Sequence, residues 1–375
     1  MVDPRNDKLA NVLVDYSCGV KKGDMVFVAV RGVPSLELAK AVIRKVTDRG
    51  GVPFWYYNDD SITRQFLLRN TEEQIRKFAA FHLSMAKRTD CYISINGSQN
   101  PFDLNDIPSK KMQAFKKLYG KPVLADHITK KTRWVVVRFP NDSMAQLAQQ
   151  PQETFEDFYY DVCCINYKKM SKAMDPLVRL MKKTNKVHIK GKGTDLTFSI
   201  KGIPVVKCDG RFNVPDGEVF TAPVRDSING IISYNTPSLY EGELYDGIRF
   251  EFKNGKIIKA TCSGDDKKLN KILDTDPGAR FVGEFALGVN PMIKEPMKDI
   301  LFDEKIDGSF HLTPGRCYDD ASNRNKSAIH WDLVCIQRKD YGGGEIWFDN
   351  KLIRKNGAFV VPELKNKFTR KALGG

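Results

Sequence analysis

His311 and His330 stand nineteen positions apart near the C-terminus, one in Phe310-His311-Leu312-Thr313-Pro314-Gly315, the other in Ser327-Ala328-Ile329-His330-Trp331-Asp332, each close to carboxylates. Imidazole with carboxylate is the ligand set that holds a Zn-like divalent ion while leaving it reactive, so the chain reads as a metallohydrolase. If Ile329 to Val334 is a strand, residues two apart face the same side, and His330 and Asp332 then aim at one spot while Trp331 points away. A bare His-x-Asp is also the pattern of a surface ion pair or a satisfied core histidine, so its company has to decide.

Two glutamates supply that company. Glu218 falls between the turn Pro215-Asp216-Gly217 and a short apolar run, a position at the lip of a sheet. Glu284 lies in Phe281-Val282-Gly283-Glu284-Phe285-Ala286-Leu287, apolar on both sides. A carboxylate buried there needs a cation or an edge position, because an unpaired buried charge is costly. Taken singly, each glutamate also fits an exposed strand end. Tyr318, seven residues after His311, adds a phenolic donor. Cys317 beside it reads as a small buried apolar residue rather than a nucleophile.

The stretches Asn213 to Pro223, Gly283-Glu284, Asp303 to His311 and Ser327 to Asp332 together resemble the M29 peptidases, the thermophilic aminopeptidases of the aminopeptidase T and S group. Gly19 to Val26 resembles that family's opening, and Thr132 to Val137 with Met144-Ala145-Gln146 its central segment, so the likeness spans nearly the whole chain. The resemblance implies that Glu218, Glu284, His311, His330 and Asp332 ligate two divalent metal ions (Zn, Co, Mn or Mg) and that Tyr318 is the catalytic tyrosine. The activity it implies is metal-dependent removal of N-terminal residues from short peptides, with Glu284 or Glu218 moving the proton; the apolar flanks of Glu284 favour Glu284. It also implies a homodimer with an enclosed site. Thr313-Pro314, where the family more often shows Ala-Leu, and the charged loop from Tyr318 to Ser327 depart from its pattern and bear on substrate preference. Two further readings use the same residues: another dinuclear amidohydrolase or dipeptidase, and a basic binding protein with a structural His/Glu cluster.

The elements that must position these residues fall into two textures. With 375 residues and 41% hydrophobic content the chain can bury two cores. Residues 1–150 alternate strand and helix signals: an apolar run at Met25 to Val30, a helix opened by Ser35 with Leu36, Ala39, Ile43 and Val46 on one face and Gly50-Gly51 at its end, a strand at Val52 to Tyr57, a helix capped by Thr71 with Gln74, and a strand at Cys91 to Ile95. That βαβαβ pattern predicts a three-layer α/β domain. Residues 151–375 form the expected metal-binding catalytic domain, opening with a helix carrying Phe155, Phe158, Tyr159 and Val162, another starting at Asp175-Pro176, and hairpins after Lys186. The clearest hairpin turns at Asn254-Gly255. The fold class is α/β followed by a β-rich α+β half, and the tail from Lys365 is expected to fray.

Neither Arg31-Gly32-Val33-Pro34-Ser35 nor Gly191-Lys192-Gly193-Thr194 has the glycine spacing of a nucleotide loop. The net charge of +14, from 60 basic against 46 acidic residues, comes from scattered doublets such as Lys116-Lys117 without interleaved aromatics, so nucleic acid is not an expected partner. No stretch has the length of a membrane span, the N-terminal residues lack the apolar core of a signal peptide, and the eight cysteines include no C-x-x-C, all pointing to a cytoplasmic protein with reduced thiols.

Overall fold

The computed structural model describes residues 3–240 and 242–374. The chain divides into two compact units, Met1–Cys164 with Gly210–Pro215, and Ile165–Asp209 with Asp216–Gly375. The first is built on a parallel sheet of β1 (Met25–Arg31), β2 (Val52–Asn58), β3 (Cys91–Asn96) and β4 (Arg133–Arg138), in the order β2-β1-β3-β4, with residues 213–214 added beside β4. Helix α1 (Leu36–Asp48) crosses between β1 and β2, and α2 (Glu72–Ala86) between β2 and β3. Parallel neighbours need such crossovers, which is why the alternating pattern predicts this arrangement. Thr71 and Gln74 form the reciprocal capping box at the start of α2.

Helix α1 corrects two details. Its buried stripe is Leu38, Ala39, Val42 and Val46, while Leu36 is exposed. Ser35 does not cap the helix; its hydroxyl donates to the Arg31 carbonyl at 2.7 Å. Helix α3 (Gln152–Cys163) buries Phe155, Tyr159 and Val162 of the expected face, while Phe158 is only half-buried.

In the second unit, helix α4 (Tyr167–Lys183) begins at Asn166, whose side chain accepts from Lys169 N, and runs through Pro176 instead of starting there. The apolar stripe Tyr167, Met170, Met174, Leu177 and Met181 continues across the proline, and its burial outweighs the lost backbone bond. Asp175 accepts from Lys207 Nζ at 2.6 Å rather than capping a helix. Beyond it lies an eight-stranded antiparallel sheet that contains the expected hairpin: Arg249–Lys253 pairs with Lys256–Thr261, and Asn254 and Gly255 both take positive φ. The tail does not simply fray: Thr369 caps a short helix, Arg370–Leu373, whose Leu373 is buried.

A second antiparallel sheet carries the candidate site. Its strands are β5 (Val206–Cys208), β6 (Glu218–Thr221), β7 (Val282–Gly288), β8 (Ser309–Pro314) and β9 (Leu333–Ile336), in the order β9-β8-β7-β6-β5. Every residue of β6, β7, β8 and β9 is buried, so both faces of the sheet are covered. Pairing sets Val219, Leu287, Phe310 and Cys335 in one row and Thr221, Phe285, Leu312 and Leu333 in the next. That largely apolar face meets the eight-stranded sheet, where Phe285 packs edge-on against Phe198 at 5.0 Å. The period of two sends the intervening residues, polar ones among them, to the opposite face.

Gly283 marks a bulge in β7, between Val282 and Glu284, and a Cβ there would collide with the carbonyl oxygens of Arg316 and Gly315. Gly283→Ala should therefore cost about 1–3 kcal/mol or more of stability in denaturant unfolding, since backbone has to move to admit the methyl. A variant as stable as the parent would remove this explanation of the glycine.

Candidate metal centre

The face opposite Phe285 and Leu287 gathers the predicted residues row by row. Glu218 stands beside Gly288, and Phe220, Ala286, His311 and Val334 share the next row. Glu284 pairs with Thr313, whose hydroxyl donates to Asp332 Oδ1 at 2.6 Å. His330 forms an isolated bridge with Gly315. Gly288 and Ala286 supply almost no side-chain volume beside Glu218 and His311, which leaves room for long carboxylates to converge.

The His330-Trp331-Asp332 segment is not the regular strand its pattern suggests, because β9 begins only at Leu333. The alternation nevertheless survives. His330 Nε2 lies 3.3 Å from Asp332 Oδ1, while Trp331 turns away, stacks on Tyr240 at 4.6 Å and donates from Nε1 to Ser238 Oγ.

Glu284 is 3% exposed and sits on the central strand β7, so no edge relieves it and a cation has to. Its Oε1 lies 3.2 Å from His311 Nε2 and its Oε2 3.5 Å from His330 Nε2. Glu218 Oε2 lies 3.6 Å from His311 Nε2 on the other side. Two groups of potential ligand atoms result: Glu218, Glu284 and His311, and Glu284, His330 and Asp332, the atoms of each within 4.8 Å of one another. Glu218 Oε2, Glu284 Oε2, His311 Nδ1 and His330 Nε2 are buried without a hydrogen-bond partner. The carboxylate oxygens and His330 Nε2 among them belong to the two ligand groups and fit divalent cations.

The surrounding groups hold the imidazole and carboxylates in place. His330 Nδ1 is 2.7 Å from the Arg316 carbonyl, which can only accept, so Nδ1 carries hydrogen and Nε2 is the coordinating atom. Burial pushes Glu284 above the usual carboxylate range against the pull of His311. Burial lowers His330, but Asp332 and Glu284 more than compensate and lift it to about 9. His311 is raised in the same way, by Glu284 and Glu218 against burial. Asp332 is held well below its ordinary value, burial notwithstanding, by the charge and hydrogen bond of His330.

Tyr318 lies at the mouth of this cluster with 43% exposure, its ring 4.6 Å from that of His330 and 5.8 Å from that of Phe220. Desolvation, then the charges of Glu284, Asp332 and Glu218, push its phenol well above its ordinary value, so it is a proton donor at neutral pH. Cys317 is buried and its thiol contacts Asn325 O at 3.3 Å. All eight cysteines are free thiols.

Several contributors escape sequence reasoning. Ala286 and Gly288 matter through their small size, and the Arg316 carbonyl through backbone alone. Lys305 is completely buried, with its Nζ 3.8 Å from Glu218 Oε1 and in contact with Glu304. In sequence the run Asp303-Glu304-Lys305-Ile306-Asp307 belongs to a stretch that carries the family resemblance, and no role for Lys305 is legible within it.

The clustered imidazoles and carboxylates fit a metal-dependent enzyme. The chain belongs to the family described as thermophilic metalloprotease (M29), whose profile matches residues 2–359, and is therefore a peptidase. It is 26% identical to aminopeptidase T of Thermus thermophilus over 348 residues, 83% of this chain and 84% of that protein. To aminopeptidase PepS of Streptococcus thermophilus it is 23% identical over 382 residues, 88% and 91% of the two chains. Among solved structures, wild-type AmpT from Thermus thermophilus shares the fold with a TM-score of 0.82 at 23% identity, covering 95% of this chain and 99% of that one. A 2,5-dihydroxypyridine dioxygenase from Pseudomonas putida KT2440 does so with a TM-score of 0.61 at 14% identity, covering 96% and 98%. Among the described residues no helix is long and apolar enough to cross a membrane.

The raised imidazoles give the metal-free protein a defined pH dependence. His330 contributes stability fully below its ordinary value of 6.5 and loses it as pH rises through about 9. Metal-stripped protein should lose about 3 kcal/mol of unfolding free energy from this group over that window, and His330→Gln should flatten the profile. Equal urea midpoints for stripped wild type across the window would contradict the assigned interaction.

Proposed function

We propose that this chain is a two-metal aminopeptidase in which Glu218, Glu284 and His311 would hold one divalent ion and Glu284, His330 and Asp332 the other. The observation that carries the reading is the position of Glu284, each oxygen facing a different imidazole. Metal-dependent aminopeptidase activity fits the M29 family and its aminopeptidase-named relatives. Zn, Co or Mn suits the mixed imidazole and carboxylate set, and Mg its oxygens only.

Divalent ions in these positions supply Lewis acidity to a water and to the scissile carbonyl. The residues do the rest. Glu284, whose burial holds its carboxyl above the usual range, or Glu218 would take the proton of the attacking water and pass it to the leaving amine. Tyr318 donates its hydroxyl to the oxyanion as charge develops. Asp332, fixed by Thr313, stays ionised and orients His330. The free α-amine of a short peptide is the recognition element, and in this reading the active form is a cytoplasmic homodimer without nucleic acid.

Unblocked tripeptides should lose their first residue while N-acetylated versions stay intact, because acetylation removes the amine's lone pair. Mass spectrometry of matched peptides tests this; equal cleavage of both forms would point instead to another amidohydrolase. Tyr318→Phe should lower kcat about 10²-fold with little change in KM, since one preorganised donor to an oxyanion is worth about 3 kcal/mol. A larger effect on KM than on kcat would place the hydroxyl on the ground-state substrate. His330→Ala and Asp332→Asn should abolish turnover while the fold is retained by circular dichroism, and near-normal turnover in either would refute the ligand assignment.

A further inference from the structure

Beside the two ligand groups lies a third acidic corner. Cys208, Asp216 and Glu218 bring a thiol and two carboxylates within 4.8 Å of one another, a set that by type alone would take a soft or borderline divalent ion. Lys305 occupies this neighbourhood. Its side chain is completely buried, its ammonium touches the Glu304 carboxylate and lies 3.8 Å from Glu218 Oε1, and Asp216, Asp332 and the Cys208 thiol act on it from nearby. The backbone fixes where it sits: Asn290 N bonds to the Lys305 carbonyl at 3.1 Å, and the carbonyls around Lys305 and Ile306 crowd so closely on Gly288 that a Cβ there would collide with them.

The two oxygens of Glu218 are thereby divided. Oε1 faces the Lys305 ammonium at 3.8 Å and Oε2 faces His311 Nε2 at 3.6 Å. We infer that Lys305 is a built-in cation that takes the place of a third metal ion in the Cys208, Asp216 and Glu218 corner, and that it positions Glu218 so that a single oxygen enters the catalytic pair. This rests on the two-metal reading above. Lys305 is a positioning residue: it acts through Glu218 and touches no substrate. A lysine suits the task because a fixed monovalent charge offsets the carboxylates without competing for the water that a metal would draw in, and it keeps the thiol of Cys208 out of metal coordination.

The test is metal titration of the full-length, chelator-stripped protein with Co²⁺, followed by elemental analysis and by the near-ultraviolet thiolate-to-metal charge-transfer band. Wild type should bind two equivalents without that band, and Lys305→Arg should do the same. Lys305→Met, similar in length but uncharged, should bind a third equivalent and develop the band, and adding Cys208→Ala should remove it. A Lys305→Met protein that binds two equivalents and shows no band overturns the inference while leaving the two-metal reading intact; wild type that binds none overturns that reading instead. If Lys305→Met does not fold, wild type decides alone: a thiolate band there places metal in the corner and refutes the role of Lys305, and two equivalents without a band uphold it.

Discussion

The second unit is organised around the cost of burying Glu284. A carboxylate at the middle of a five-stranded sheet, away from every edge, is intolerable without positive charge close by. Much of the surroundings follows from that requirement. The bulge at Gly283 aims the side chain, Ala286 and Gly288 leave space for it, two imidazoles approach its two oxygens, and the opposite face of the sheet is apolar enough to seal the whole against the eight-stranded sheet. In metal-free protein the imidazoles must carry protons to do this, which is why both are held above their ordinary values. A cation and a proton are thus alternatives at the same atoms, the linkage expected wherever metal binding and folding share ligands.

How much of this the sequence discloses depends on whether the cause is local. The capping box at Thr71 and Gln74 and the hairpin at Asn254-Gly255 involve residues three or fewer apart, and both form as written. The run Met25 to Val30 and its parallel partners are equally legible, since alternating strand and helix signals leave few topologies. Pro176 misleads because its local rule is right and the tertiary stripe through α4 overrides it. At His330-Trp331-Asp332 the two-residue alternation gives the correct side-chain directions although no regular strand forms before Leu333. For Glu284 the apolar flanks disclose burial but not the neighbours, because register across β7 and β8 spans 27 positions of chain. Lys305 is the furthest from view: nothing in a short run of acids around one lysine separates a solvated lysine from one sealed beside Glu218.

The fold by itself does not choose the reaction. A protein named as a dioxygenase shares this architecture at a TM-score of 0.61, while the chain's family is one of metalloproteases. Function therefore resides in particular atoms: the orphaned Glu218 Oε2, Glu284 Oε2 and His330 Nε2, the Arg316 carbonyl that selects the His330 tautomer, and the phenol of Tyr318 beside His330. Remove the convergence of these groups and the same sheet would be a packed core with no chemistry.

Glu284 belongs to both groups of ligand atoms, and anomalous diffraction from crystals grown with Co²⁺ or Zn²⁺ decides whether both are filled. Two peaks are expected, one among Glu218, Glu284 and His311, the other among Glu284, His330 and Asp332. A single peak, or ions bound away from Glu284, would contradict the two-metal reading.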